Sequence, residues 1–106
     1  MMLYNVTVGI DKDIEAQWIT WMQQKHIPDI LATGLFTGYK FYKILTHDDE
    51  ATVSYCIQYF TPSIVEFNEY LEKHAHSLVE EHRRKFFERH VVFNTLLEEV
   101  PPVSPQ

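Results

Sequence analysis

The chain has 106 residues and a formal net charge of −6, with 45% hydrophobic and 14% aromatic residues. That length suits one domain, and the acidic balance argues against a nucleic-acid or anionic-membrane surface, which needs Lys and Arg to release counterions. The lone cysteine, Cys56, excludes an internal disulfide and a Cys-only metal site.

Met2 to Ile10 alternates as a strand, with Tyr4, Val6, Val8 and Ile10 on one face and Leu3, Asn5, Thr7 and Gly9 on the other. No basic segment precedes it, so it does not read as a signal peptide. Asp11 or Asp13 can cap the helix that follows, and Glu15 lies in its first turn. This first helix is predicted from about Asp13 to Thr33. Ile14, Trp18, Trp21 and Met22 share one side of it, and Ile19 and His26 lie at the border. Pro28 lacks an N–H and would clash with the carbonyl of Gln24, so a kink or break is expected near Ile27. Gly34 suits the C′ position that ends the helix.

Phe36 to Leu45 is the second strand, "THDDE" (Thr46 to Glu50) a polar turn, and Thr52 to Phe60 the third strand. Thr61 is expected to cap a second helix, with Pro62 at its first position. The apolar stripe of that helix is Ile64, Phe67, Leu71, Ala75, Leu78, His82 and Phe86, and its end falls between Arg84 and Glu88. His90 to Leu97 is the fourth strand. Residues 1–100 thus read as one ferredoxin-like α+β domain, ordered β-α-β-β-α-β, with a four-stranded antiparallel sheet and both helices on one face. Residues 101–106, "PPVSPQ", form a tail with no reason to be ordered. No apolar run approaches the ~20 residues of a membrane span, so the expected location is the cytoplasm.

One face of the sheet packs on the helices. The other is expected to carry Asn5, Thr7, Ser54, Cys56, Gln58, Asn94 and Leu96, none of them charged. A face open to water usually carries Lys, Glu or Thr. A second sheet covering this one is the better explanation, which makes Asn5, Thr7, Gln58 and Asn94 the expected homodimer face.

"YNVTV" (Tyr4 to Val8), "WMQQKHIPDILATGLF" (Trp21 to Phe36) and "YCIQYF" (Tyr55 to Phe60) resemble a family of short, uncharacterised bacterial proteins in the dimeric α/β-barrel superfamily. The resemblance runs from Met2 to Val100. It implies a homodimer in which two sheets form one barrel. The superfamily includes monooxygenases, isomerases, haem-degrading enzymes and proteins with no known catalysis, and fold does not choose among them. The family's usual glycine-containing turn before the last strand has no counterpart in "HAHSLVEEHRRKFFERH" (His74 to His90).

His26 is the first candidate for chemistry. An imidazole near a proline-disturbed turn can act as acid, base or hydrogen-bonding group, or can simply satisfy backbone groups freed by the break. In the resembled family this histidine belongs to the motif, which implies a binding or catalytic role. Trp21, Met22, Tyr55 and Tyr59 join it as candidate ligand-binding residues, because aromatics with polar tips suit a planar or apolar ligand. The same stripe at helical spacing also makes plain core. His74, His76, His82 and His90 do not have metal-ligand spacing, so no metal and no cofactor is expected. His82 reads as a histidine favoured by a helix C-terminus. Cys56 has no activating neighbour in the sequence.

Two functions stay open. One is a small-molecule protein, with catalysis that needs no cofactor as an extension. The other is a non-catalytic dimeric regulatory or interaction module. An RNA-binding domain shares this strand order, but "VSYCIQYF" lacks the Gly, Lys or Arg such a strand carries.

Overall fold

The computed structural model describes residues 1–46 and 49–103. In chain order it contains β1 (Met2–Asp11), α1 (residues 15–31), β2 (Gly38–Ile44), β3 (Thr52–Thr61), α2 (residues 64–85) and β4 (His90–Glu98). The strands form one antiparallel sheet in the order β2-β3-β1-β4, with both helices on one face. This is the ferredoxin-like arrangement the sequence predicts. His47 and Asp48 of the expected turn, and residues 104–106 of the expected tail, lie outside the described residues. No helix among the described residues is long and apolar enough to cross a membrane.

The alternation read from β1 and β3 holds. Tyr4, Val8 and Ile10 of β1 and Val53, Tyr55, Ile57 and Tyr59 of β3 are buried against Trp18, Met22, Ile27 and Ile30 of α1 and Phe67, Tyr70 and Phe86 of α2. Each such side chain contributes about 1.5–3 kcal/mol by leaving water. β4 is different. Asn94 stands opposite Val6 and Leu96 opposite Tyr4, so both face the helices rather than the outer surface expected for them. Val91, Phe93, Thr95 and Leu97 occupy the outer face instead, opposite Gly9, Thr7, Asn5 and Leu3. The stretch Val91 to Leu97 is apolar on both sides, so its own pattern does not fix its face; pairing with β1 does.

Helix α1 is entered through a 3₁₀ turn, Lys12–Ile14, and neither Asp11 nor Asp13 caps it. Both carboxylates accept hydrogen bonds from Arg89, that of Asp11 at 2.6 Å from Nε. β1 extends through Asp11, whose N–H donates to the Arg89 carbonyl, and this ties the aspartate to the turn before β4. The expected break near Ile27 takes another form. Met22–His26 is a π-turn, in which the Ile27 N–H donates to the Met22 carbonyl, and Ile27–Leu31 continues as α-helix. The wider turn accommodates Pro28 without interrupting the helix. Gly34 ends it with φ +78°, as its place predicts.

Helix α2 starts two residues later than expected. β3 runs to Thr61, which is fully buried and donates through its hydroxyl to the Leu35 carbonyl at 3.0 Å. Ser63 is the N-cap: its hydroxyl accepts from the Val65 N–H at 3.2 Å and donates to the Glu66 carboxylate. The pair forms a capping box. A second π-turn, Leu71–Ala75, interrupts α2 and shifts the phase of its apolar stripe. Ile64 and Leu71 are exposed, and Tyr70 takes the buried place. The helix ends at Lys85, and Glu88 makes the following turn with φ +61°, where the resembled family is expected to place a glycine.

Candidate functional site

A pocket of about 290 Å³ lies between the sheet and the helices, toward the β1–β4 side. Its floor is Tyr4, Val6 and Val8 of β1, Tyr59 of β3, and His90, Val92 and Asn94 of β4. Its roof is Met22, His26 and Ile30 of α1 and Tyr70, Val79, His82 and Arg83 of α2. The two helices leave β4 exposed on both faces, so the pocket opens past this edge strand. Its volume is at the small end of small-molecule sites, which run from about 300 to 1,000 Å³.

One end is an imidazole cluster. His26 and His82 are only 8% and 7% exposed, with ring centroids 5.3 Å apart. Trp21 stacks on both, at 5.0 Å from His26 and 5.7 Å from His82. His90 meets His82 edge-on at 4.6 Å. The Trp18 indole N–H donates to His82 Nε2 at 3.0 Å, which fixes a neutral His82 with its proton on Nδ1. His90 Nδ1 lies 2.7 Å from the Phe86 carbonyl and so is the protonated nitrogen of that ring. His26 has no such anchor, and its buried Nδ1 is without a hydrogen-bond partner.

Burial lowers the His26 pKa to about 4, opposed by the Asp29 carboxylate and assisted by Lys25. Burial lowers that of His82 to about 3, with His26 and His90 adding to the effect. Both rings are neutral at pH 7. They carry no charge, and with Nε2 engaged by Trp18, His82 keeps only its Nδ1–H to donate.

The other end is aromatic and phenolic. Tyr4, Tyr59 and Tyr70 surround Phe36, whose ring centroid lies 6.2, 5.5 and 5.0 Å from theirs. Between the two ends run Val6, Val8, Met22 and Ile30.

Of the residues predicted for ligand binding, Met22, His26 and Tyr59 line the pocket, and Trp21 backs His26. Tyr55 does not reach it. Its hydroxyl donates to the Glu15 carboxylate, its ring packs on Trp18 and Phe41, and Lys43 lies 3.5 Å from the same carboxylate. Asn94, expected on the dimer face, lines the pocket. Asn5, Thr7 and Gln58 do lie together on the outer face, where Asn5 donates to the Thr7 hydroxyl at 3.1 Å. Tyr4, Tyr70 and Asn94 are pocket residues that the sequence reading did not select as ligand-binding. Tyr4 was readable, since its alternation with Val6 and Val8 puts it on the helix side. Tyr70 was hidden by the π-turn. Among the described residues, no group of three or more His, Cys, Asp or Glu side chains is placed to hold a metal ion.

An antiparallel sheet bearing two helices on one face, with a pocket between the layers, defines a ferredoxin-like α+β protein. The chain belongs to the family described as Domain of unknown function (DUF4286), whose model matches residues 1–100. No curated protein sequence matches it. Among solved structures it is similar to HapK from Hahella chejuensis (TM-score 0.68, 9% identity, covering 100% of this chain and 99% of that one). It is similar to a dimeric ferredoxin-like protein from an uncultured marine organism (TM-score 0.66, 9% identity, 99% and 100% covered). An EthD (ethyl tert-butyl ether D) family protein from Bacillus halodurans is also similar (TM-score 0.65, 12% identity, 94% and 100% covered). At these identities the likeness concerns the fold.

Proposed function

We propose that this protein binds a small, planar organic molecule in the pocket between sheet and helices, and that it works as a homodimer joined through the outer sheet face. The observation that carries the first part is the pocket itself, between sheet and helices, with the nine-tenths-buried His26 on its wall. Most of the remaining lining is aromatic and aliphatic, as in sites for flat apolar ligands, with Arg83, His90 and Asn94 as its polar members beside His82. Trp21 and Met22 hold His26 in place, and Tyr59 closes the opposite wall.

A base with pKa about 4 takes protons poorly at neutral pH. The reading is therefore binding. A catalytic role for His26 requires a ligand that raises this pKa or brings an acidic proton of its own. No step calls on a cofactor.

The dimer rests on the outer face. Phe93 is 66% exposed there, with Val91, Leu97 and Tyr42 exposed around it. Asn5, Thr7 and Gln58 lie between them, so the face has an uncharged polar centre and a largely apolar rim, with Lys40 beside Gln58 at the β2 edge. Such a patch on an antiparallel sheet marks an interaction surface. The marine ferredoxin-like relative is a dimer, which favours a second copy as the occupant. A non-catalytic regulatory dimer is the second reading, and it shares this interface.

The test of binding is ligand-observed NMR with a library of small aromatic compounds, on the wild type and on Val92→Trp. Val92 is exposed at the pocket mouth, so tryptophan there blocks the site without disturbing the core. Binding to the wild type that disappears in the variant is expected. Equal binding to both proteins, or binding to neither, refutes the reading.

A further inference from the structure

Tyr4, Tyr59 and Tyr70 line the pocket and are 6%, 1% and 1% exposed. Buried tyrosine hydroxyls normally find a partner. Tyr55 of the same sheet does so, through Glu15. The three pocket tyrosines do not: among the described residues none of their hydroxyls makes a hydrogen bond, and none is sealed inside protein. They therefore open onto the pocket. The ring centroids of Tyr59 and Tyr70 lie 6.2 and 6.0 Å from that of Tyr4, so the three come from one small region of the wall.

Resting on the pocket reading above, we infer that the ligand carries an uncharged acceptor oxygen, a ketone- or amide-type carbonyl, which the Tyr4, Tyr59 and Tyr70 hydroxyls bind at the end remote from His82. Three O–H groups without protein partners form a donor set, and the complement of a donor set is an oxygen with lone pairs. The choice of a neutral oxygen follows from the charges nearby. Arg83 is at the rim, held by both carboxylate oxygens of Glu80 at 2.8 and 2.9 Å. The wall between the two ends is Val6, Val8, Met22 and Ile30, and the chain as a whole is acidic. A carboxylate would have to compete with Glu80 for Arg83 at the rim and would find only apolar wall between there and the tyrosines, which is costly. Burial also holds the phenols protonated, the state in which they donate. Water serves these hydroxyls in the free protein, and the ligand oxygen replaces it.

The experiment compares three probes of similar shape, acetophenone, ethylbenzene and benzoate, by titration in ¹H–¹⁵N NMR spectra. The proteins are the wild type, Tyr4→Phe, Tyr59→Phe, Tyr70→Phe and the triple Phe variant. Acetophenone is expected to bind the wild type about tenfold more tightly than ethylbenzene, the worth of one to two net hydrogen bonds. The ratio should fall toward one in the triple variant, while ethylbenzene binding persists there and reports an intact pocket. The single variants should melt no lower than wild type in the absence of probe, because each removes a hydroxyl that no protein group serves. Equal binding of acetophenone and ethylbenzene, or a preference that survives the triple substitution, overturns this inference and leaves the pocket reading standing. Benzoate binding more tightly than acetophenone overturns the choice of a neutral oxygen. A marked loss of stability on a single Tyr→Phe change overturns the claim that the hydroxyls lack protein partners. If no probe perturbs the pocket residues of the wild type, both readings fall.

Discussion

Acidification should destabilise this protein well above the pH at which carboxylates titrate. His26 and His82 have folded pKa values of about 4 and about 3, against an ordinary value of 6.5. Above pH 6.5 both states are neutral, and the histidines contribute nothing to the dependence. Below it the unfolded chain takes up protons and the folded protein does not, so stability falls as pH falls, until the folded values are reached. Each histidine then costs about 1.4 kcal/mol per pH unit, or about 2 kcal/mol at pH 5 and about 4 kcal/mol for the two together. That is a large part of the roughly 5–15 kcal/mol that holds a typical domain folded. The groups facing the pair do not offset it: Asp29 and Lys25 pull His26 in opposite directions, and His90 adds to the penalty on His82. The depressed carboxylates, Asp49, Glu66 and Glu80, lose their contribution only below their ordinary values near pH 4. The window from pH 7 to pH 5 therefore reports the imidazoles. Urea titrations at half-unit steps across that window measure the slope. His82→Gln should roughly halve it, because glutamine still accepts from the Trp18 indole and does not titrate. A wild-type stability that is flat from pH 7 to pH 5, or an unchanged slope in His82→Gln, would refute the argument.

Glu88→Gly should stabilise the protein by about 0.5–1 kcal/mol, since a non-glycine residue pays about 1–2 kcal/mol in the left-handed region and glycine returns part of that as chain entropy; an unchanged or lower urea midpoint counts against strain at this turn. Light scattering at micromolar concentration should give twice the chain mass, and Thr7→Lys or Phe93→Lys should give a folded monomer, because each puts an unpaired charge into the outer-face contact. A dimer that survives both changes would place the contact elsewhere. Chelator treatment should leave the melting temperature unchanged, because His82 Nε2 is occupied by the Trp18 N–H and no three donors converge among the described residues; a lowered temperature would mean that a metal supports the fold.

The layout of the fold was legible because β1 and β3 alternate strictly and each is followed by a long helical stretch. The face of β4 was not, since Val91, Val92, Phe93, Leu96 and Leu97 give both sides apolar character, and only the register with Val6 turns Asn94 inward. His26 was legible as a residue turned toward the sheet. Its neighbours His82 and His90 were not, because they come from the far end of the chain, and helical spacing cannot show that α2 lies beside α1. Tyr55 and Tyr59 look alike in the sequence, both inward on β3. Glu15, from the first turn of α1, takes the hydroxyl of one and leaves the other to the pocket. The helix start at Ser63 was missed because Thr61 is an equally good cap by type, and what removes it is a burial decided in three dimensions.

The two π-turns give the helices something like a reading frame. Each absorbs one extra residue in a wider turn, so everything after it is offset by one position from the regular count. In α2, Tyr70 lies before the extra residue and His82 after it, and with that residue present the two face one pocket only while the wide turn absorbs it. Relaxing Leu71–Ala75 to regular α-helix with no residue removed would leave a better helix and a worse site, with the phenolic and imidazole ends out of phase by about 100°, whereas removing one residue there would keep them in phase. α1 is protected against the same slip by Pro28, which a regular helix would force against the Gln24 carbonyl. α2 has no such lock. When this chain is aligned with a relative one residue shorter in the second helix, the gap belongs inside Leu71–Ala75, and the residues on its two sides cannot be matched as one continuous stripe.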